Sequence, residues 1–339
     1  MRCFEEITAD LVWQKAVKEL IDSPDYNHNG RNSKTREILP GVLRISDPRQ
    51  RWILSRTPPY NPAFGLVEFI WIITGNHSSH VLNFWNPSLP SFAGQGDTYH
   101  GAYGFRLRHE FGIDQIKRAY QALLTTPESR QVVLQIWKPE IDFPDINGQP
   151  VSKDIPCNIM SLLKLREGCL HWSQIMRSND ILRGLPYNII QFTMLHEIMA
   201  GWLGVNLGVY FHLSDSLHVY EKDLLEFSCA PQKFEKFDRE PFFMTYDESK
   251  MMFEMIYEDL EKVSNGNMKE DQLNEIFLRD RCSSTGKCIL IQDMMAVIGS
   301  DAARRQNYKE LACQLVGSCS DPNLRQASLA WFKYHEERK

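Results

Sequence analysis

The sequence contains no run of eighteen consecutive apolar residues, so nothing in it predicts a membrane-spanning helix. Its first residues, Met1-Arg-Cys-Phe-Glu-Glu-Ile, lack the long apolar core of a secretion signal, which leads to the expectation of a cytoplasmic protein. An excess of positive charge is also absent. The net charge is -5, which argues against a surface that coats nucleic acid while leaving room for a local basic pocket. No internal repeat or low-complexity tract is evident. Closely spaced cysteine pairs are missing: Cys282 and Cys288, and Cys313 and Cys319, stand farther apart than zinc ligands usually do, so no metal site is expected. The eight cysteines of the 339-residue chain read as mostly reduced thiols. Hydrophobic content of 43% and charged content of 24% are those of a globular protein of one large domain or two smaller ones.

Residues 9–22 carry apolar side chains at helical spacing and predict an amphipathic helix. A polar loop is expected from Ser23 to Lys34, and its Arg31 and neighbouring Ser and Thr residues would suit phosphate. Short strands are expected over 38–53. Residues 63–75 are apolar apart from Glu68 and predict a buried helix, in which a carboxylate must be hydrogen-bonded or protonated. Residues 76–101 read as a long irregular segment, 114–124 as a helix, 132–137 as a strand, and 155–165 with 169–176 as two strands. A helix over 186–203 and a strand over 210–220 follow. Beyond residue 245 only helices are expected, at 247–264, 269–280, 291–298, 301–316 and 322–337, the last started by Asp321-Pro322. The fold expected is therefore α/β (α+β), a mixed sheet with packed helices in 1–245 and a helical C-terminal extension in 246–339.

One stretch concentrates the chemistry. Pro156-Cys157 is followed by Met176-Arg177-Ser178-Asn179-Asp180, by Gly184-Leu185-Pro186-Tyr187-Asn188 and by Asp215-Ser216-Leu217-His218-Val219-Tyr220. A thiol beside an arginine is a candidate nucleophile, and an amide such as Asn188 can both donate to and accept from a polar ring. These four motifs, in this order, resemble those of the thymidylate synthase family, folate-dependent enzymes that add one carbon to C5 of a pyrimidine nucleotide. The resemblance extends to Glu68 through Gly75, to Tyr103-Gly104 and to Ser129-Arg130, covering about residues 25 to 240.

The resemblance implies a thymidylate synthase-like sheet and a role for each residue. Cys157 would add to C6 of the base. Glu68 would organise proton transfer, Asn188 would read the base, and Tyr103 would complete the catalytic set. Arg31, Arg130, Arg177 and Ser178 would hold the phosphate, with Arg130 supplied by the partner subunit of a homodimer. His218 and Tyr220 would hold the sugar, and Asp180, Gly184 and Tyr187 the folate. The implied partners are a small-molecule nucleotide and 5,10-methylenetetrahydrofolate, with neither nucleic acid nor membrane.

The chain also departs from the family pattern. Asn158 stands where the family has His, Met176 where it has Gln, Gln131 in place of a second arginine, and Ser216 in place of an aspartate. Residues 86–93 lack the family's tryptophans, with Trp85 out of register, and about ninety helical residues replace the short apolar tail that closes over the folate. Methylation needs a dry, closed site so that hydride reaches an exocyclic methylene before water does. A wetter site would give a hydroxymethyl group, so the reading leans to a hydroxymethylase acting on a uracil nucleotide of the dUMP type. A true thymidylate synthase, and a nucleotide-binding homologue without turnover, are the alternatives. A cysteine hydrolase would leave Arg177 and Asn188 without a purpose. His77, His80 and His100 receive no role.

Overall fold

The computed structural model describes residues 1–29, 34–279, 281 and 288–338. The chain opens with strand β1 (Arg2–Glu6) and helix α1 (Ala9–Asp22). Thr8 caps α1 by accepting from the Leu11 amide at 3.2 Å, and Val12, Trp13, Ala16, Val17 and Leu20 form its buried face. Strands β2 (Tyr26–Asn29), β3 (Lys34–Ile38), β4 (Gly41–Ile45) and β5 (Arg56–Thr57) follow. The polar segment expected to be a loop thus contains β2, which pairs antiparallel with β3. Its side chains are all exposed, so no hydrophobic alternation marks it in the sequence.

Helix α2 (Pro62–Ile73) is the apolar helix carrying Glu68, capped by Asn61 and begun by Pro62. Residues 76–101 are less irregular than expected, because α3 (Ser79–Trp85) and α4 (Leu89–Ala93) lie within them. Val81, Leu82 and Trp85 point α3 into the core, a stripe too short to give a clear helical period. A short turn α5 (Tyr103–Phe105), helix α6 (Gln115–Thr125), strand β6 (Val133–Gln135) and turn α7 (Pro139–Asp142) come next.

Strands β7 (Asn158–Arg166) and β8 (Cys169–Asp180) form a hairpin, and β8 runs four residues past the strand expected over 169–176, taking in the Arg-Ser-x-Asp sequence. Helix α8 (Gly184–Leu203) is buried around most of its circumference and stops at Gly204, whose φ of 64° suits glycine. Strand β9 (Asn206–Tyr220) lies at the centre of the sheet, and the short β10 (Ser228–Cys229) pairs with β5. The main sheet has the order β1-β4-β9-β8-β7-β6, with β3 also on β9 and β2 on β3. β1 is parallel to β4 and β8 to β9, and the other pairs are antiparallel, so the sheet is mixed as expected.

The C-terminal portion consists of α9 (Tyr246–Ser264), α10 (Glu270–Leu278), α11 (Ile289–Arg305), α12 (Lys309–Ser318) and α13 (Pro322–Glu336). The helices expected over 291–298 and 301–316 divide at 306–308 instead, because Gly299 and Ser300 are buried inside α11. Asp321 caps α13 as expected and also accepts from the Trp52 indole at 2.8 Å, tying that cap to the body. Ile256, Leu260, Met294, Ile298 and Leu315 belong to the same continuous core as α2 and α8. No helix among the described residues is long and apolar enough to cross a membrane.

Candidate functional site

Cys157 stands immediately ahead of β7, where the chain enters the sheet beside the end of β8. The Arg177 amide donates to the Cys157 carbonyl at 2.8 Å. The Arg177 guanidinium donates through Nε to the Pro156 carbonyl at 2.9 Å and through Nη2 to the Ile155 carbonyl at 3.1 Å. These bonds hold Nη2 3.9 Å from Cys157 Sγ, with the guanidinium over the Trp137 ring at 5.5 Å. Burial pushes the Cys157 thiol above its ordinary range, Arg177 opposes that, and Asp154 and Asp180 add to it.

Asn158, the residue after the nucleophile, is fully buried. Its Oδ1 accepts from Gln174 Nε2, and Gln174 Oε1 in turn accepts from Ser161 Oγ at 2.7 Å and from the Trp172 indole at 3.1 Å. The position where the family has His is thus joined to a polar network inside the sheet. Met176, opposite Asn158, is also fully buried, which removes it from any phosphate-binding surface.

On the helix side, Asn188 donates to Gln191 Oε1 at 3.1 Å, and Gln191 also hydrogen-bonds Glu68. Glu68 Oε2 is buried without a partner among the described residues. Burial pushes the Glu68 carboxyl up to about 8, and the bond to Gln191 partly opposes this. The Tyr103 phenol is driven well above its ordinary value, first by burial and then by Cys157, Asp154 and Glu68 nearby. Gly104 permits this approach: a Cβ there would lie 2.4 Å from the Ile72 carbonyl oxygen. Gly184 is also closely packed, with a Cβ there falling 3.1 Å from Asn179 Oδ1.

Along the ends of β8 and β9, Ser178 Oγ is 3.4 Å from His218 Nδ1, and Asp180 pairs in register with His218. The His218 and Tyr220 rings meet edge to face at 5.4 Å. Burial raises the Tyr220 phenol, with Asp180 and Cys157 adding to it. Ser216 donates to Glu37, so it serves the β3 side of the sheet. Asp180 Oδ1 accepts from the Leu182 and Arg183 amides at 2.9 Å each, while its Oδ2 is buried with no hydrogen-bond partner among the described residues and has Arg183 Nε 4.0 Å away. Burial raises the Asp180 carboxyl, and His218 is foremost in opposing that. The Tyr187 hydroxyl accepts from the Asn61 amide at 3.2 Å, and its phenol is pushed up to about 12 by burial.

Eleven of the sequence-predicted residues therefore surround one site: Cys157, Glu68, Asn188, Tyr103, Arg177, Ser178, His218, Tyr220, Asp180, Gly184 and Tyr187. Arg31 lies outside the described residues. Arg130 is exposed ahead of β6. Val132, two residues on, bonds the Leu163 amide at 3.1 Å, toward the far end of β7 from Cys157. At about 3.3 Å per strand residue, Arg130 is on the order of 20 Å from the Cys157 of its own chain, too far to join it.

Sequence reasoning passed over three residues of this region. Gln191 joins Glu68 to Asn188, and its place three residues after Asn188 on one helix was the available signal. Arg56, desolvated among Tyr187, Asp180, Tyr60 and Tyr334, had none. Phe92 of α4 is exposed, with the Arg183 guanidinium 5.4 Å from its ring centre. A cleft of about 630 Å³ is lined by Pro90, Ser91, Gln95, Ser152 and Lys153. Cys157 does not line it.

The thymidylate synthase family sequence model matches residues 12–271, beginning in α1 and running past residue 245 into α10. The chain is 34% identical over 204 residues to the deoxyuridylate hydroxymethyltransferase of Bacillus phage SP01, covering 57% of this chain and 52% of that protein. It is 32% identical over 217 residues to the deoxyuridylate hydroxymethyltransferase of Pseudomonas phage M6, covering 62% and 60%. A Methanothermobacter marburgensis protein named "Putative thymidylate synthase" is 30% identical over 230 residues, covering 65% of this chain and 95% of that one. The match thus spans little more than half the length of the two phage enzymes. On the breadth of the family match, the chain belongs to the thymidylate synthase family.

Proposed function

We propose that this chain transfers a one-carbon unit from 5,10-methylenetetrahydrofolate to C5 of a uracil nucleotide of the dUMP type, and that water completes the reaction to a hydroxymethyl group. The observation that carries the reading is Cys157 Sγ 3.9 Å from the guanidinium of a carbonyl-tethered Arg177. The donor supplies carbon at the oxidation level of formaldehyde. Cys157 forms an S–C6 bond, the displaced electron pair moves to C5, and C5 bonds that carbon. Loss of the C5 proton, with tetrahydrofolate as leaving group, puts a methylene on the ring. The oxygen of water then bonds that methylene, the S–C6 bond breaks, and Cys157 is restored.

The other residues fit around these steps. Asn188 would pair with the base, with Gln191 holding its amide and Glu68 close by. Tyr103 and Glu68 would handle protons near C5 and O4. Ser178 with Arg177 would meet the phosphate, and His218 with Tyr220 the sugar. The donor also has a fitting partner: Asp180 Oδ2, which has no hydrogen-bond partner among the described residues and only a distant Arg183 Nε at 4.0 Å, is suited to the N–H groups of a pterin, beside Tyr187 and Gly184. Leu89, Phe92 and the polar cleft, standing where a tryptophan wall is absent, favour water over hydride. The names of the two phage relatives favour the same product. A thymidylate synthase reaction is the second reading, supported by the name of the methanogen relative.

The reading includes a homodimer. Cross-strand rows on one face of the sheet, Val133-Leu162-Ser173-Phe211 and Met160-Ile175-Leu213, are largely apolar and incompletely buried. A second copy on this face would bury them and bring Arg130 toward the phosphate of the partner's site. The free cysteines Cys3, Cys157, Cys169, Cys229, Cys313 and Cys319 suit the cytoplasm. Tritium release from C5-labelled dUMP, dCMP, UMP and CMP tests the reading. Donor-dependent release from dUMP is expected, and no release from any of the four would favour a binding protein without turnover.

A further inference from the structure

The C-terminal helices are fastened to the site by one buried carboxylate. Asp301, on α11, is almost fully buried. Its Oδ1 accepts from Arg304 Nη2 at 2.7 Å and from the Trp331 indole at 3.3 Å. Its Oδ2 accepts from Arg305 Nε at 2.8 Å and from Asn61 Nδ2 at 3.3 Å. A buried charge with this many donors fixes each of them in direction.

Two of those donors lead to the site. Held by Asp301, Arg305 donates through Nη1 to the Phe84 carbonyl at 2.9 Å and through Nη2 to the Trp85 carbonyl at 2.5 Å. These carbonyls end α3, where a helix leaves such groups without intrahelical partners. With seven residues, α3 has little stability of its own, and a guanidinium at its C-terminus also complements its dipole. α4 follows directly and carries Phe92 against Arg183, whose amide bonds Asp180. Asn61, the other donor, caps α2 and gives its backbone amide to the Tyr187 hydroxyl. Both paths end beside Asp180 and Tyr187, and neither touches Cys157, Arg177, Ser178 or His218.

We propose that Asp301 and Arg305 are positioning residues for the donor side of the site, by which the C-terminal helices fix the α3–α4 wall and Tyr187. The inference rests on the one-carbon-transfer reading above. On this reading the packed helical layer holds the wall in place before the donor arrives.

The test is steady-state kinetics of Arg305→Ala, Arg305→Lys and Arg304→Ala in the full-length chain, with dUMP and methylenetetrahydrofolate varied separately and thermal melts alongside. Arg305→Ala is expected to raise the KM for the donor about tenfold while the KM for dUMP stays within about twofold. Arg305→Lys, able to reach one of the two carbonyls, should fall between. Arg304→Ala, which loses a bond to Asp301 but none to the wall, should leave both constants within about twofold. Unchanged constants in Arg305→Ala, or an equal rise in both, overturns the inference. If Arg305→Ala does not fold, the donor-to-nucleotide split in Arg305→Lys decides in the same way. A lack of turnover in the unsubstituted protein would instead remove the one-carbon-transfer reading itself.

Discussion

Replacing Glu68 with Gln should remove a proton from the chemistry and a pH dependence from the fold. Burial pushes this carboxyl from an ordinary 4.5 up to about 8, so at pH 7 about nine-tenths of the molecules hold it neutral. The folded value lies above the unfolded one, so the folded chain binds the extra proton between about pH 4.5 and about pH 8. Raising the pH across that window favours the unfolded state, by at most about 1.4 kcal/mol per pH unit for a single proton. The stabilisation is complete below the unfolded value and is lost as pH rises through the folded one. Urea melts at several pH values should show that slope in the unsubstituted protein and its reduction in Glu68→Gln. The same proton should appear in the kinetics. If neutral Glu68 gives a proton to the base, kcat/KM falls above about pH 8, and Glu68→Gln lacks that limb while losing roughly two to four orders of magnitude in rate. An alkaline limb and a stability slope that both persist in Glu68→Gln would refute the assignment.

Arg177→Gln removes the cation 3.9 Å from Cys157 Sγ. Unit charges at that distance interact by about 4 kcal/mol at an effective dielectric near 20, and the spread of the guanidinium charge and solvent screening reduce this to about 1–2 kcal/mol. Alkylation of Cys157 near neutral pH, followed by mass spectrometry of its peptide, should slow roughly five- to thirtyfold; an unchanged rate would contradict the pairing. Co-expression of Cys157→Ala with Arg130→Ala should restore about a quarter of full activity through mixed dimers, and a mixture as inactive as its parents would remove Arg130 from the partner's site. Gly104→Ala places a carbon 2.4 Å from the Ile72 oxygen and should lower stability by about 1–3 kcal/mol in a thermal melt, with Tyr103 displaced and activity reduced.

The parts of the fold that sequence made visible were those with strong periodicity. α1, α2 and α8 were legible because their apolar patterns are long, and β7, β8 and β9 because they alternate between turns. β2 was hidden because all four of its side chains face solvent, and α3 because its buried stripe is about two turns long. The site was legible through the order of its motifs, which bring Cys157, Arg177, Asp180 and Asn188 together from separate elements. What the motifs could not reveal was the support beneath them. Gln174 under Asn158, Gln191 between Glu68 and Asn188, and Asp301 holding Arg305 act through contacts across 16 to 221 residues of chain or within a helix face already filled by apolar side chains. The departures at Asn158 and Met176 also gained a physical meaning, because both are buried, one in a polar network and the other in the sheet interior.

The most direct measurement is the mass of the nucleotide formed from dUMP and methylenetetrahydrofolate by the unsubstituted chain and by Cys157→Ser. The account predicts a product heavier by the elements of formaldehyde, tetrahydrofolate released alongside it, and no product from Cys157→Ser. A product heavier by one methylene, with dihydrofolate, would establish the thymidylate synthase reaction in place of hydroxymethylation. Equal product from both chains would contradict catalysis through Cys157.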